Sequence, residues 1–198
     1  SEIDLKVKHI LQTMIGFGFF NKEQLDPSIP LDNPETAKAV AYGGTTYCLV
    51  AENGNYTMSS TTDIAANNWN KQTVAFTFKP EVNSLTATDK ALFVLDANGN
   101  LHKSTDGGIN WTATGNKYSS LIAGYGDTLL AVAASESGYF TVALTDNGTE
   151  TKTAAPKEFP VKGFSQAFKY NSDWGTSEML FMVGGEMADG NFTGATWG

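Results

Sequence analysis

The sequence predicts an all-β fold, a β-propeller with blades of about 45 residues, from three observations. An apolar run, a short turn with glycine and an alternating run recur four times, over residues 47–59, 92–104, 130–143 and 180–193. The turn glycines are 45, 39 and 52 residues apart, at Gly54, Gly99, Gly138 and Gly190. A further strand candidate precedes each repeat, at 36–42, 82–88, 119–125 and 163–170. The chain therefore contains about four or five blades, or is a fragment of a larger propeller.

The repeated turns predict β-hairpins between the second and third strands of each blade. Asn-Gly stands at Asn53 and Asn98, and Asp-Gly at Asp189, each between strand-like runs. These dipeptides favour tight hairpin turns because a type I′ turn requires positive φ at both central residues. The local turn chemistry and the repeat period thus indicate the same blade.

The chain is predicted to form a single domain over residues 1–198. Residues 1–36 form an N-terminal strand and loop region, and residues 37–198 form four blade-like repeats. Apolar and charged residues alternate over 3–8, as in a strand, whereas three prolines mark 25–36 as loop. Two alternatives remain for the ends. Residues 3–8 supply the outer strand that the last repeat lacks and close the propeller, or the chain is part of a longer one.

Charge and cysteine content limit the classes of function. The 198 residues include 13 lysines and no arginine, and the formal net charge is -8. Nucleic acid binding needs a basic surface, so no nucleic-acid partner is expected. The single cysteine, Cys48, excludes an intrachain disulfide and a cysteine-based zinc site. The most apolar run, 14–20, is too short to span a membrane. We expect no metal and no cofactor.

One motif has a specific shape. Ser104, Asp106, Gly108 and Trp111 fit the pattern S-x-D-x-G-x-x-W. A degenerate version has Asp63 and Trp69, and its tryptophan lies 42 residues before Trp111, in step with the hairpins. The aspartate can accept N–H groups of its own turn, and the indole can fill space between neighbouring sheets.

This motif resembles the Asp-box, or BNR, repeat of sialidase-like β-propellers. The resemblance implies a turn between the third and fourth strands of a blade, on the face opposite the ligand. It makes Asp63 and Asp106 structural rather than catalytic. The resemblance also suggests sialidase activity, in which a cluster of arginines binds the substrate carboxylate. Because the chain has no arginine, that activity is rejected.

The predicted ligand face carries the hairpins and the connections between blades. Four acidic residues recur around the hairpins, at Glu52, Asp96, Glu136 and Glu186. They form an acidic funnel or simply occupy solvated turns. Tyr118 and Phe159 lie in predicted connections and are candidates for stacking on sugar rings. His102 is expected to face solvent, because it alternates with Leu101 and Lys103.

Two functions follow from these residues. The first is a non-enzymatic extracellular binding or scaffold module for a glycan or another protein. The second is a glycan-active hydrolase with two of the four hairpin carboxylates about 5–10 Å apart. Low charge and Thr/Asn/Gly richness are similar to those of uncharacterised secreted or lipid-anchored propeller proteins of gut Bacteroidetes. An extracellular or cell-surface location is therefore expected, with a signal or lipid anchor removed before Ser1. The sequence leaves the oligomeric state open.

Overall fold

The computed structural model describes residues 39–66, 68–136, 138–164, 166–171 and 178–197. The predicted N-terminal region 1–36, with the strand at 3–8 and its closing role, lies outside these residues. No helix among the described residues is long and apolar enough to cross a membrane.

The described residues form four antiparallel sheets, which we call blades 1 to 4. Each sheet pairs strands in chain order, so each blade is a meander. The strands of blades 1 and 2 are β1 Ala39–Tyr42, β2 Thr45–Glu52, β3 Asn55–Thr61, β4 Asn70–Val74, β5 Thr86–Ala87, β6 Leu92–Leu95, β7 Asn100–Ser104 and β8 Thr112–Lys117. Those of blades 3 and 4 are β9 Ser120–Tyr125, β10 Thr128–Ser135, β11 Gly138–Thr145, β12 Glu150–Ala154, β13 Gln166–Asn171, β14 Glu178–Glu186 and β15 Phe192–Trp197. The predicted all-β propeller fold is confirmed.

Two of the hairpins have turns of different kinds. Asn53 and Gly54 both have positive φ, 51° and 77°, so the β2–β3 hairpin has the predicted type I′ turn. In the β6–β7 hairpin only Gly99 is left-handed, and its N–H donates to the Asp96 carbonyl at 2.9 Å. This is a type I turn followed by a glycine bulge, which corrects the type I′ turn expected there.

The first strand of blade 2 is shorter than predicted. Residues 82–84 form a 3-10 turn, and β5 pairs over only two residues. The cause is Ser84, whose hydroxyl accepts the Leu95 N–H at 2.8 Å. A side chain thus takes the place of a backbone partner in the sheet.

The core lies between successive blades in three clusters. Leu49 and Met58 of blade 1 pack with Val94 of blade 2, and further clusters join blades 2 and 3 and blades 3 and 4. Within β10, Ala131 belongs to one cluster and Val132 to the next. Blades 2 and 3, which we call the inner blades, are therefore covered by a neighbouring blade on both faces. The fourth strands of blades 1 to 3, β4, β8 and β12, are largely exposed.

The first strands of neighbouring blades contact each other: β1 with β5, β5 with β9, and β9 with β13. A close approach involves Gly124 of β9 and Ala87 of β5. A Cβ at Gly124 would overlap the Ala87 carbonyl oxygen and lie 2.5 Å from its carbonyl carbon. Glycine at this position permits two inner strands to pack backbone to backbone.

Candidate functional site

The meander gives each blade two distinct ends. We call the hairpin end the one with the turns between second and third strands and the connections between blades. We call the turn end the opposite one, with the turns between third and fourth strands. All four predicted acidic residues lie at the hairpin end: Glu52 ends β2, Asp96 follows β6, Glu136 follows β10, and Glu186 ends β14.

Asp96 is buried at the hairpin end, and both of its carboxylate oxygens accept hydrogen bonds. Its Oδ1 accepts the backbone N–H of Asn98 at 2.8 Å and of Asn100 at 2.9 Å, and its Oδ2 accepts Asn100 Nδ2 at 2.8 Å. Burial alone would raise the pKa, but the hydrogen bonds outweigh it and lower the pKa of Asp96 to about 2. The carboxylate holds its own turn together and remains ionised.

His102 lies against this carboxylate, contrary to expectation. It is 8% exposed, with Nε2 3.4 Å from Asp96 Oδ2 and its ring stacked on Phe78 at 3.5 Å between centroids. Both faces of blade 2 are covered by neighbouring blades, so alternation along β7 does not bring His102 to solvent. The spacing of Asp96, Asn98, Asn100 and His102, two residues apart on a hairpin, was the signal for this cluster.

The other three acidic residues show no comparable arrangement. Glu52 and Glu136 are exposed, and Glu186 makes an ion pair with Lys162 at 3.1 Å. Among the described residues, no group of three His, Cys, Asp or Glu side chains could hold a metal ion. The hairpin end therefore presents separate acidic groups.

The two aromatic candidates do not reach the surface, which corrects their proposed role in stacking on sugars. Tyr118 is 3% exposed, and its hydroxyl donates to Glu150 Oε1 at 2.7 Å. Burial first, then Glu150, raises the pKa of Tyr118. Phe159 is 8% exposed and packs against Trp197 at 5.3 Å between ring centroids. Both rings are packing residues between blades. Sequence reasoning missed Glu150, which carried no motif.

The S-x-D-x-G-x-x-W segment forms the β7–β8 turn, at the turn end. Asp106 Oδ1 accepts the Ser104 hydroxyl at 2.8 Å and the N–H groups of Ile109 and Asn110 at 3.1 and 3.0 Å. Its Oδ2 accepts Asn110 Nδ2 at 2.7 Å. Burial opposes ionisation, but these bonds prevail and lower the pKa of Asp106.

This turn also packs blade 2 onto blade 1. The Ser104 hydroxyl accepts the Gly108 N–H at 2.9 Å, and Trp111 Nε1 donates to the Gly108 carbonyl at 2.9 Å. A Cβ at Gly108 would lie 2.5 Å from Met58 Cε of blade 1. The Trp111 ring lies 5.7 Å from that of Phe76, in the segment that follows β4. The motif thus acts in packing between blades.

Related turns in blades 1 and 3 are simpler. Asp63 Oδ1 accepts the N–H groups of Ala65 and Ala66 at 2.9 and 3.2 Å, and Trp69 is half-buried. In blade 3 the amide of Asn147 takes the place of the carboxylate and accepts the Thr149 N–H at 3.0 Å. The turn geometry recurs with fewer bonds where the motif is degenerate.

A cavity of about 260 Å³ lies on the face of blade 3 that packs toward blade 4. Its lining is apolar and threonine-rich: Ile122, Leu130, Thr141, Val142, Ala143, Thr151 and Thr153. No acid, base or nucleophilic thiol is among these residues, so the cavity carries no candidate catalytic group.

We predict that Asp96→Asn removes part of the pH dependence of stability. The folded pKa lies below the ordinary value of 3.8, so Asp96 stabilises the fold above about pH 4. That contribution, about 2 kcal/mol, is lost as the pH falls toward 2. Urea unfolding at pH 7 and at several acidic pH values should show that the free energy of unfolding falls less with pH in the variant than in the wild type.

Asn100→Ala is the matched variant for this measurement. It removes the side-chain donor to Oδ2 and leaves both backbone donors to Oδ1. The decrease in its free energy of unfolding between pH 4 and 2 should therefore lie between those of the wild type and Asp96→Asn. Parallel curves for wild type and Asp96→Asn would contradict the structural role of the carboxylate.

Comparison with known proteins agrees with the blade geometry. The family model described as DUF6242 beta propeller domain matches residues 22–198. No curated protein matches the chain. The match spans all four blades together with part of the N-terminal region. The chain belongs to the DUF6242 beta propeller domain family.

Proposed function

We propose that the chain is a non-enzymatic, extracellular binding or scaffold module that contacts its ligand through the hairpin end. The observation that carries the proposal is the repetition of exposed acidic groups on one end of the propeller, at Glu52 and Glu136, beside the ion-paired Glu186. A meander of rigid blades presents such groups at fixed spacing without bringing them into one pocket.

The ligand class follows from what the hairpin end exposes. Tyr118 and Phe159 are buried, so they offer no ring face to a sugar. Exposed carboxylates favour a partner with basic groups, and they guide its approach and orientation. We therefore favour a basic protein segment over a glycan as the ligand.

The hydrolase alternative requires two carboxylates roughly 5–9.5 Å apart. Asp96 is occupied by four contacts and has a pKa of about 2, far from that of a general acid at neutral pH. Glu186 is held by Lys162. Glu52 and Glu136 lie on blades 1 and 3, with blade 2 between them. Since packed sheets are about 10 Å apart, we expect blade 2 to keep these two groups too far apart for the chemistry.

The β7–β8 turn is our candidate for an Asp-box. The bonds to Asp106, the close contact at Gly108 and the packing of Trp111 between blades support that assignment. The turn lies at the end opposite the proposed ligand face, as the resemblance implies. The same resemblance, together with the low charge, supports a secreted or surface-anchored protein of the Bacteroidetes type.

The groups to test are the two exposed carboxylates of the hairpin end, Glu52 and Glu136. We predict that Glu52→Gln/Glu136→Gln weakens binding to basic peptides about tenfold, because each exposed ion pair contributes up to about 1 kcal/mol. Binding should be measured on arrays of basic, neutral and acidic peptides and on a glycan array, at low and high salt. Salt should reduce wild-type binding more than binding of the variant.

Asp89→Asn/Asp127→Asn is the matched control, since it removes two exposed charges at the turn end. Its binding should equal that of the wild type. Glycan binding with no peptide binding would shift the proposal to a carbohydrate ligand. Cleavage of array glycans that Glu136→Gln abolishes would replace it with the hydrolase.

A further inference from the structure

The sequence contains three Asn-Gly pairs, and the structure holds them in different turns. Asn53-Gly54 forms the type I′ turn between β2 and β3. Asn98-Gly99 and Asn147-Gly148 lie in turns in which only the glycine has positive φ, 82° and 87°. Asparagine before glycine is the pair most easily converted to aspartate, because glycine leaves its own backbone nitrogen unhindered. The turn geometry therefore decides which pair reacts.

Two of the three glycine nitrogens are held. The Gly99 N–H donates to the Asp96 carbonyl, and the Gly148 N–H donates to the Thr145 carbonyl, each at 2.9 Å. The Asn147 side chain is also fixed, since its Oδ1 accepts the Thr149 N–H and the Thr145 hydroxyl. At Gly99 the space is closed as well, because an added Cβ would lie 2.6 Å from the Tyr118 carbonyl oxygen.

Asn53-Gly54 has none of these restraints. Both residues are exposed, and an added Cβ at Gly54 would meet nothing within 4 Å. Within the described residues 39–66 and their contacts, the Gly54 N–H has no hydrogen-bond acceptor, and the Asn53 side chain has no partner. The backbone carbonyl of Asn53 accepts a hydrogen bond from Asn55 Nδ2 at 3.5 Å, and this bond does not involve the Asn53 side chain.

We propose that Asn53-Gly54 is a site of spontaneous deamidation at the hairpin end. The Gly54 nitrogen loses its proton and attacks the Asn53 side-chain carbonyl carbon, so that a new C–N bond closes a succinimide ring. The Cγ–Nδ2 bond breaks, and Nδ2 leaves as ammonia after it takes up a proton. Water then adds to either ring carbonyl and opens the ring to aspartate or isoaspartate. No oxidant or reductant takes part.

The modification would change the proposed binding end directly. Either product adds one negative charge beside Glu52. Aspartate tolerates the left-handed conformation that residue 53 has in the turn. Isoaspartate adds a methylene to the backbone, which disturbs the pairing of Glu52 with Asn55. The site thus adds charge in one product and loosens the hairpin in the other.

The experiment follows all three pairs in one molecule. The full chain is incubated in mildly alkaline buffer, folded and in urea, and peptide mapping by mass spectrometry measures conversion at each asparagine. In the folded chain Asn53 should convert first, with Asn98 and Asn147 about tenfold slower or more, the factor expected for one hydrogen bond. In urea the three rates should converge, because the restraints are lost. Conversion of Asn98 or Asn147 as fast as Asn53 in the folded chain would overturn the proposal.

Two variants test the assignment by charge. Isoelectric focusing of the aged wild type should show a more acidic species, which Asn53→Gln should lack. Since glutamine suits the left-handed turn less well, Asn53→Asp is the second variant; it keeps the turn and should start at the acidic position and stay there. Persistence of the new acidic species in both variants would place the reaction elsewhere and refute the site.

Discussion

Gly124→Ala should destabilise the fold by about 3 kcal/mol or more. The added methyl would overlap the carbonyl oxygen of Ala87 and lie 2.9 Å from the Thr88 nitrogen. The obstacle is backbone, and that backbone is held: the Thr88 N–H donates to the Ala91 carbonyl and the Asp89 N–H to the Gly126 carbonyl. The inner strands of blades 2 and 3 must therefore separate. Urea unfolding at neutral pH measures the loss.

Gly194→Ala is the matched control for this prediction. Gly194 also lies in a strand, β15, where an added Cβ meets nothing within 4 Å and φ is not left-handed. The free energy of unfolding of this variant should stay within about 0.5 kcal/mol of wild type or rise slightly. Equal stability of the two variants would show that β5 and β9 do not pack as closely as the structure has them.

The hairpins and their period could be predicted from the sequence because turn chemistry is local. Asn53-Gly54 needs no information beyond its own residues to favour positive φ at both positions. The first strand of blade 2 could not be predicted in the same way. Its length depends on the Ser84 hydroxyl, which pairs with Leu95 on the neighbouring strand. Contacts across a sheet are not visible as a pattern along the chain.

The candidate site was harder to predict because inner blades are buried on both faces. Alternation places one side chain inside and the next outside only when one face of a sheet meets water. In β7 both Leu101 and His102 are buried, at 0% and 8% exposure. Tyr118, which a connection was expected to expose, is buried in the cluster between blades 2 and 3. The four acidic positions were correctly placed at one end, since the meander requires it, but their partners come from tertiary contacts.

Asp106→Ala should cost about 3 kcal/mol, because one carboxylate organises the whole β7–β8 turn. Four hydrogen bonds end on its two oxygens, and the part-buried one from the Ser104 hydroxyl is of the charged kind that contributes about 1.5–3 kcal/mol net. The turn also positions Gly108 against Met58 and Trp111 against Phe76, so its loss weakens the contact between blades 1 and 2. Urea unfolding gives the free energy, and tryptophan fluorescence reports the environment of the indoles.

Asp63→Ala is the matched control in the neighbouring blade. Asp63 accepts two exposed backbone N–H groups on one oxygen, whereas Asp106 accepts four hydrogen bonds on two oxygens, one of them from the buried Ser104. Its substitution should cost about 1 kcal/mol, as for an exposed capping residue. Equal losses for the two variants would mean that the complete motif adds nothing to a simple capped turn. A larger loss for Asp106→Ala, with altered fluorescence, would show that the motif joins one blade to the next.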